Sequence, residues 1–262
     1  TGIITVRNKI GKGELMKSIL VTSTPEENRV AMLENGVLET IEMERSSHSH
    51  LVGNIYKGQI QNVLPGMQAA FVDIGTEKNA FLYIGDGMPQ DMVKALPKAQ
   101  HIHIGQRLPV QIIKDAIGTK GPRATTHISL PGRNVVLMPT AAYIGMSRRI
   151  EAEEERNRLH DIASRICPEG MGLIIRTAAA GQSESVLRAD VDYLVKLWQS
   201  IMARFKLKSK GTNLLFRDAD LIIRIVRDSL TDEIDEMVID DHEVWQRVRE
   251  LVQFLSPQLV DR

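Results

Sequence analysis

Short β-rich segments fill residues 50–130, and they constrain the fold more than any other feature of the 262-residue chain. Turn residues, mainly glycine, separate these segments, which is typical of short strands. Five such runs in succession suit a small Greek-key barrel of the OB type, and an unrelated small β domain fits the spacing about equally well. The runs are GNIYKGQIQNVL, MQAAFVDIG, NAFLYIG, QRLPVQIIKD and RATTHISL.

The segments on either side predict a second unit that is built from both ends of the chain. Upstream, Asn35-Gly36 separates two apolar runs, which is a strong hairpin signal because both turn residues must adopt positive φ. With the run SILVTS, the hairpin predicts a three-stranded antiparallel sheet. Downstream, residues 218–262 read helix, strand, helix. We therefore expect one α/β unit from the two ends, with the middle of the chain inserted.

Residues 127–217 predict a mixed region. The strands NVVLMP and GLIIRTA flank a helix in which Leu159, Ile162, Ala163 and Ile166 recur at helical spacing. A longer helix follows, with an apolar stripe from Val191 to Phe205 that predicts core packing. The polar stretch GDGMPQDMVKALPKAQHIHIG predicts a long loop between the third and fourth barrel strands.

Composition excludes several classes of protein. The chain is 43% hydrophobic and 25% charged, as globular proteins are, and no apolar run approaches the roughly 18 residues of a membrane span. Residues 1–15 lack the pattern of a signal peptide, and we expect them to be an extension or leader. A single cysteine, Cys167, excludes an internal disulfide framework and predicts a reducing, cytoplasmic location. Lys+Arg and Asp+Glu balance at 33 each, so the net charge does not predict a nucleic-acid partner. A local patch of positive charge could still bind one.

Aromatic residues point to such a patch. Four of the eleven lie within one stretch of 28 residues, and four lysines lie in the same barrel segment. Bases need a flat apolar surface to stack on and phosphates need cations beside it, so the group favours binding of single-stranded RNA or DNA. For any one ring, filling the barrel core is an equally good explanation. The aromatic residues are Tyr56, Phe71, Phe81 and Tyr83, and the lysines are Lys57, Lys78, Lys114 and Lys120.

Two arginine motifs form a second candidate. Arg148-Arg149 offers a bidentate fork to phosphate, and Arg176-Thr177 after a strand adds a guanidinium and a hydroxyl. A run of glutamates at 151 and 153–155 follows the first pair. From spacing alone, a surface salt-bridge network is therefore favoured for Arg148 and Arg149.

No residues form a convincing catalytic or metal centre. GTKGPR lacks the spacing of an NTPase phosphate loop, and His101 and His103 have no neighbouring cysteines to complete a metal site. Acidic residues between 232 and 241 predict a solvated face and helix caps. The residues alone therefore predict a binding surface, with no catalytic or metal-binding residues.

Four motifs resemble a known family. NIYKGQIQNVLPGMQAAFVDIGTEKNAFL, GTKGPRATTHISLPGRNVVLMP, SRRIE and GMGLIIRTAA, in this order, are similar to the amino-terminal half of the ribonuclease E/G family, closest to its ribonuclease G type. The resemblance implies an RNase H-like scaffold (16–49 and 218–262), interrupted by an S1 barrel of the OB fold (50–126) and a 5′-sensor region (127–217).

The same resemblance implies a function. The family consists of single-strand-specific, Mg²⁺-dependent endoribonucleases that process and degrade RNA and prefer a 5′-monophosphate end. In the family, a DNase I-like subdomain with two catalytic Mg²⁺-binding aspartates follows, and after it a short CPxC-type segment shares Zn²⁺ between subunits; neither has a counterpart in these 262 residues. We therefore expect an RNA-binding portion of a longer, homo-oligomeric enzyme, without hydrolysis by this chain itself. The alternative is a non-catalytic S1-type RNA-binding protein.

Individual roles also follow from the motifs, with Tyr56 kept as a further RNA-binding candidate from the aromatic cluster. The resemblance implies RNA contacts for Phe71, Phe81, Lys120, Arg148 and Arg149. It implies a pocket for the 5′-monophosphate formed by Gly132, Val136, Arg176 and Thr177.

Overall fold

A computed structural model of the chain describes residues 4–7, 16–45, 50–83, 102–207, 214–231 and 233–255. The chain divides into a terminal unit, Thr1–His50 with Ala219–Arg262, and an inserted unit, Leu51–Asp218. The predicted insertion, residues 50–217, covers nearly the same residues as the inserted unit. Most of the predicted barrel loop, from residue 84 to 101, lies outside the described residues, as do His101, Asp232 and most of the predicted extension.

The described residues form a mixed α+β structure. Its strands are β1 (Ile4–Arg7), β2 (Lys17–Ser23), β3 (Glu27–Glu34), β4 (Val37–Arg45), β5 (Ile55–Leu64), β6 (Ala69–Asp73), β7 (Ala80–Tyr83), β8 (Arg107–Lys114), β9 (Arg123–Thr125), β10 (Leu130–Pro131), β11 (Val135–Met138), β12 (Ile144–Met146), β13 (Gly172–Ile175), β14 (Leu214–Phe216) and β15 (Glu236–Ile239). Its α-helices are α1 (Glu153–Ile166), α2 (Glu184–Lys206), α3 (Leu221–Ser229) and α4 (His242–Leu255).

The terminal unit is a five-stranded sheet in the order β1-β15-β2-β3-β4. Strands β2, β3 and β4 are antiparallel neighbours, and Asn35 (φ 52°) and Gly36 (φ 78°) close the β3–β4 hairpin, as predicted. Strand β15 adds to β2 in parallel. Residues 4–7, which the sequence pattern assigned to an extension, form β1 and pair with β15.

Helices α3 and α4 cover the core of this sheet. Ile19 and Val30 of the sheet and Ile222 of α3 are almost completely buried in one apolar cluster. The predicted capping by acidic residues is confirmed at α4, where Asp241 Oδ1 accepts a hydrogen bond from the Val244 N–H at 2.9 Å. The Asp241 carboxylate thus satisfies one of the N–H groups that a helix start leaves unbonded.

The inserted unit contains a closed five-stranded barrel. The strands follow the order β5-β6-β7-β9-β8, and a β5–β8 pairing closes the ring. All five predicted runs contribute a strand, and β14 extends the sheet beside β5. In the last run, only Arg123–Thr125 forms a barrel strand. Leu130-Pro131 at the end of the run pairs with β11 in another sheet. The barrel is OB-like, which is one of the two alternatives that the strand spacing left open and the one that the family resemblance implied.

The rest of the inserted unit is a four-stranded sheet, β10-β11-β13-β12, packed against α1 and α2. The four predicted apolar positions of α1 are buried. Strand β12 was not predicted, since three residues carry no clear periodicity. None of the helices in the described part of the chain combines the length and apolar composition needed to cross a bilayer.

Candidate nucleic-acid interface

Two phenylalanines of the aromatic cluster lie side by side on the outer surface of the barrel. Phe71 and Phe81 are paired across β6 and β7, with ring centroids 5.8 Å apart and ring planes at 73°. Their chain neighbours Val72 and Leu82 are fully buried in the barrel core, so alternation along the strands turns both rings outward. Phe71 is 36% exposed. Its ring can therefore offer a flat apolar face to a base.

Tyr56 does not belong to this surface, contrary to the prediction from the aromatic cluster. It is only 7% exposed and packs in the barrel core, with its hydroxyl 3.4 Å from the Asn54 side-chain nitrogen. A ring with covered faces cannot stack on a base, so Tyr56 is a structural residue. Tyr83 lies on the same outer face as Phe81, two residues further along β7, and is half-buried.

Two of the four barrel lysines are bound within the inserted unit. Lys57 Nζ donates to the carbonyl oxygens of Phe205 at 2.6 Å and Leu207 at 3.0 Å, and it lies 5.1 Å from the centroid of the Phe205 ring. There it offsets the negative end of the α2 dipole. Lys78 Nζ donates to the Gly118 carbonyl at 2.6 Å. Both ammonium groups therefore have structural roles.

We expect Lys57→Met to lower the free energy of unfolding by about 1–2 kcal/mol, because the end of α2 loses a charged hydrogen-bond donor. Urea unfolding followed by circular dichroism measures the change. Lys196→Met, at an exposed position on the same helix, is the control and should shift the value by less than about 0.5 kcal/mol. Equal stability of the Lys57 variant and the parent would contradict the capping role.

Lys120 lies on the exposed connection between β8 and β9. Reciprocal backbone bonds between Ile117 and Lys120 close a tight turn, with N–O distances of 3.2 and 3.0 Å. The end of this connection is bonded to β7, because the Phe81 N–H donates to the Pro122 carbonyl at 2.7 Å. The bond from Lys78 to Gly118 holds the same connection. The loop that carries the exposed Lys120 is thus fixed beside the strand of Phe81.

A second cluster forms at one edge of the β10–β13 sheet. Strands β12 and β13 are parallel, with Met146 paired to Ile175, so the residues that follow them, 147–149 and 176–177, emerge at the same edge. Strand β11 is antiparallel to β13 and begins there, with Val135 opposite Ile175. The predicted arginine pair, the Arg-Thr pair and Gly132 are therefore brought to one end of the sheet.

Arg176 is tied to the loop before β11. Its Nη1 donates to the Gly132 carbonyl at 2.7 Å, and its backbone N–H donates to the Asn134 carbonyl at 2.8 Å. Thr177 is exposed, and its hydroxyl oxygen lies 2.8 Å from that of Ser147. A positioned guanidinium and neighbouring hydroxyl groups are donors that suit a phosphate.

A half-buried carboxylate of α2 organises this loop. Asp190 Oδ2 accepts hydrogen bonds from the backbone N–H groups of Asn134 at 2.8 Å and Val135 at 3.2 Å. A β-carbon at Gly132 would collide with the Asp190 carboxylate, so a larger residue there would displace this carboxylate. Burial raises the pKa of the Asp190 carboxyl, although these N–H groups and the charge of Arg176 oppose the rise. Asp190 therefore positions the backbone to which Arg176 is bonded.

Arg148 and Arg149 are exposed in the turn after β12. Across the described ranges no carboxylate pairs with either of them, so the ion-pair network that the spacing favoured is not formed. Arg156 of α1 holds the turn, because its Nη1 donates to the carbonyls of Ser147 at 3.2 Å and Ile150 at 2.9 Å. Both arginines are thus presented to solvent beside Ser147 and Thr177.

The glutamate run has other partners. Glu155 accepts a hydrogen bond from Arg158 Nε at 2.7 Å and another from the Gly181 N–H at 2.8 Å. These bonds, that from Arg158 foremost, lower the pKa of the Glu155 carboxyl to about 2. Glu155 therefore remains ionised at neutral pH and anchors the loop that follows Arg176 and Thr177.

Val136 was also predicted to line the phosphate pocket, but no side-chain contact joins it to the described residues of this cluster. It lies within β11, opposite Pro131 and Ile174, on the sheet face away from the core formed with α1 and α2. Its half-buried side chain packs in the strand, and its predicted phosphate contact stays a prediction.

The residues that the structure describes do not fit a metal ion. Nowhere in the described ranges do three His, Cys, Asp or Glu side chains gather as a set of ligands. His103 is exposed. The Cys167 thiol donates to the Met171 carbonyl at 3.3 Å, and burial raises its pKa, which suits a structural residue.

Sequence reasoning missed two residues of the second cluster. Ser147 directly precedes the arginine pair, and its hydroxyl beside Arg148 could have been recognised in the motif SRRIE. Asp190 carried no signal, because a single acid in an amphipathic helix is normally solvated. Only the packing of α2 against the loop before β11 reveals its role.

Comparison with known proteins gives a consistent result. The profile of the Ribonuclease E/G family matches residues 129–262. Ribonuclease G of Escherichia coli K12 is 40% identical over 253 residues, which cover 93% of this chain and 52% of that protein. Ribonuclease G of Haemophilus influenzae is also 40% identical over 253 residues, with coverage of 93% and 51%. Ribonuclease E of a Nostoc species is 41% identical over 206 residues, with coverage of 78% and 30%.

The chain spans about half the length of the ribonuclease G relatives that it matches. The profile begins within the inserted unit and extends through the second half of the chain, and the relatives align over the barrel as well. Since the family profile matches about half of its residues, the chain belongs to the ribonuclease E/G family.

Proposed function

We propose that the chain is the RNA-binding portion of a single-strand-specific endoribonuclease of RNA processing and decay. Membership of the ribonuclease E/G family supports an RNA substrate. The observation that carries the proposal is the edge-to-face pair on the outer face of the barrel, in which Phe71 is exposed and Phe81 is half-buried. In this proposal the barrel is an S1-type domain, and the terminal unit is an RNase H-like scaffold.

The ring pair accounts for a preference for unpaired strands. In a duplex, each base is already stacked on its neighbours and its faces are covered. An unpaired base can place one face on the Phe71 ring, which is worth about 1–3 kcal/mol per stacked base. Lys120, on the loop fixed beside Phe81, adds a cation for the phosphate backbone, so the surface binds a single strand with little dependence on sequence.

The second cluster is proposed to bind a 5′-monophosphate. A terminal phosphate carries more charge than an internal phosphodiester and offers more acceptor oxygens, so it gains more from a positioned guanidinium. Arg176 is held by its bond to Gly132, and the Thr177 and Ser147 hydroxyls lie together. Arg148 and Arg149 are exposed in the neighbouring turn and would attract the phosphates that follow.

The whole protein is proposed to hydrolyse RNA with Mg²⁺ and to share Zn²⁺ between subunits of a homo-oligomer. We assign neither ion to the side chains described here, since they do not form a set of ligands. We also propose a cytoplasmic location, which the single cysteine supports because a lone thiol stays reduced there.

Titration of the 262-residue chain with labelled oligoribonucleotides tests the proposal. We expect single-stranded RNA to bind more tightly than a duplex of the same sequence, with affinity that falls as salt rises, because phosphate contacts release counterions. Fluorescence anisotropy at low salt measures both affinities. A folded sample that ignores single strands, or that prefers the duplex, would refute the proposed function.

A further inference from the structure

The outer face of the barrel carries a row of five residues that crosses its strands, which we call the transverse row. Its members, in spatial order, are Asn62, Phe71, Phe81, Arg123 and Lys114. The backbone register pairs each with the next: Asn62 with Phe71, Phe71 with Phe81, Phe81 with Arg123, and Arg123 with Lys114. Residues paired in this way project from the same face of a sheet.

Burial confirms that the cationic end of the row faces outward. Ala124, which follows Arg123, is 1% exposed within the barrel core, so Arg123 projects from the outer face. Ile112 also lies in the barrel core, but a register shift between Ile112 and Lys114 places Lys114 opposite Arg123 and breaks the regular alternation. Arg123 is half-buried and Lys114 is exposed. Neighbouring strands lie about 5 Å apart, so the two backbones are about 5 and 10 Å from that of Phe81. Both cationic side chains are long enough to reach a phosphate beside a base stacked on the rings.

The two ends of the transverse row differ in charge. On the β5 side the rings are flanked by the neutral amide of Asn62, and on the other side by the guanidinium of Arg123 and the ammonium of Lys114. The connection between Lys114 and Arg123 also carries Lys120. Its one acid, Asp115, whose Oδ1 accepts a hydrogen bond from the Leu51 N–H at 2.8 Å, does not balance these three cations. Positive charge is therefore concentrated on one side of the rings.

We propose that Arg123 and Lys114 bind the phosphates of the strand whose bases stack on Phe71 and Phe81, so that its sugar–phosphate backbone runs on the β9–β8 side of the rings. This inference rests on the proposed function, because it presupposes a single strand on the ring pair. It adds two RNA-binding residues and places the sugar–phosphate backbone of the RNA on one side of the two rings.

The salt dependence of affinity tests this placement. The probe is a short oligouridylate with a 5′-hydroxyl end, which keeps a terminal phosphate out of the measurement, titrated with the 262-residue chain at about 50 to 200 mM salt. Lys114→Gln and Arg123→Gln should each reduce the slope of log K against log salt by about 0.7, the value for one lost contact to a single strand. Arg123→Lys keeps the charge and should retain the parental slope.

The matched control is Arg107→Gln, at the exposed opposite end of β8, which should retain the parental slope. Phe71→Ala should lower affinity and leave the slope unchanged, because a ring binds no counterion.

Parental slopes for both the Lys114 and Arg123 variants, or an equal loss of slope for Arg107→Gln, would overturn the placement and leave the proposed function standing. Should Arg123→Gln fail to fold, the exposed Lys114 decides the result. Failure of the parent to bind the probe would refute the proposed function and, with it, the placement.

Discussion

Phe71→Ala is expected to weaken binding of a short single-stranded RNA by about 1–3 kcal/mol, which is roughly 5- to 150-fold in Kd. The substitution removes the ring of the pair that is 36% exposed and leaves Phe81 without its edge-to-face neighbour. Fluorescence anisotropy with a labelled oligoribonucleotide measures the affinity. Because the ring lies on the outer face of β6, thermal unfolding should change little.

Two further substitutions separate stacking from simple burial of apolar area. Phe71→Leu keeps apolar bulk without a flat π face, and it should lose nearly as much affinity as alanine. Phe71→Trp keeps a flat face and should bind close to the parental level. Tyr193→Ala removes another exposed ring, 56% exposed on α2, and should bind RNA as the parent does. Equal affinities of the Phe71 variants and the parent would exclude the stacking role.

Arg176→Ala is expected to abolish the preference for a 5′-monophosphate over a 5′-hydroxyl end. In the parent chain this preference should amount to about 1.5–3 kcal/mol, the range for hydrogen bonds to a charged group. The alanine variant removes the guanidinium that donates to the Gly132 carbonyl, in the loop that Asp190 organises. The measurement compares two oligonucleotides of one sequence that differ only at the 5′ end, so a general change in RNA affinity cancels.

Conservative variants define what the second cluster requires. Arg176→Lys keeps the charge without the planar fork and should retain part of the preference, and Thr177→Val should lower it by removing one hydroxyl. Arg165→Ala breaks a surface ion pair with Glu184 and should leave the preference intact. A parent chain that binds both ends equally, or an Arg176→Ala variant that still discriminates, would contradict the proposed pocket.

Local patterns predicted most of the secondary structure. Asn35-Gly36 specified a hairpin because few residue pairs tolerate two positive φ angles, and the apolar spacing of α1 placed its buried face correctly. Strand β1 was missed, since its partner β15 lies more than two hundred residues away. A short strand of this kind is defined by its pairing, to which its own sequence contributes little.

The candidate site was predicted less completely than the fold. Phe71 and Phe81 emerged from the aromatic cluster, and the register later placed them side by side. Tyr56 was assigned wrongly because both faces of β5 are covered where it lies. Its neighbour Ile55 packs into the core formed with α1 and α2, while Tyr56 packs into the barrel core. Such a strand breaks the alternation of buried and exposed residues on which a sequence prediction depends.

The amino-acid sequence by itself determined the four helices, most of the strands in their order, the β3–β4 turn, and the motifs by which the chain resembles its family. These properties depend on contacts over a few residues, where backbone propensity and periodicity act. Only the tertiary structure decided which rings face solvent, which lysines bind carbonyls within the chain, and which cations lie beside Phe81. It also brought Asp190 to the loop of Gly132, because packing and strand pairing join residues that chain distance separates.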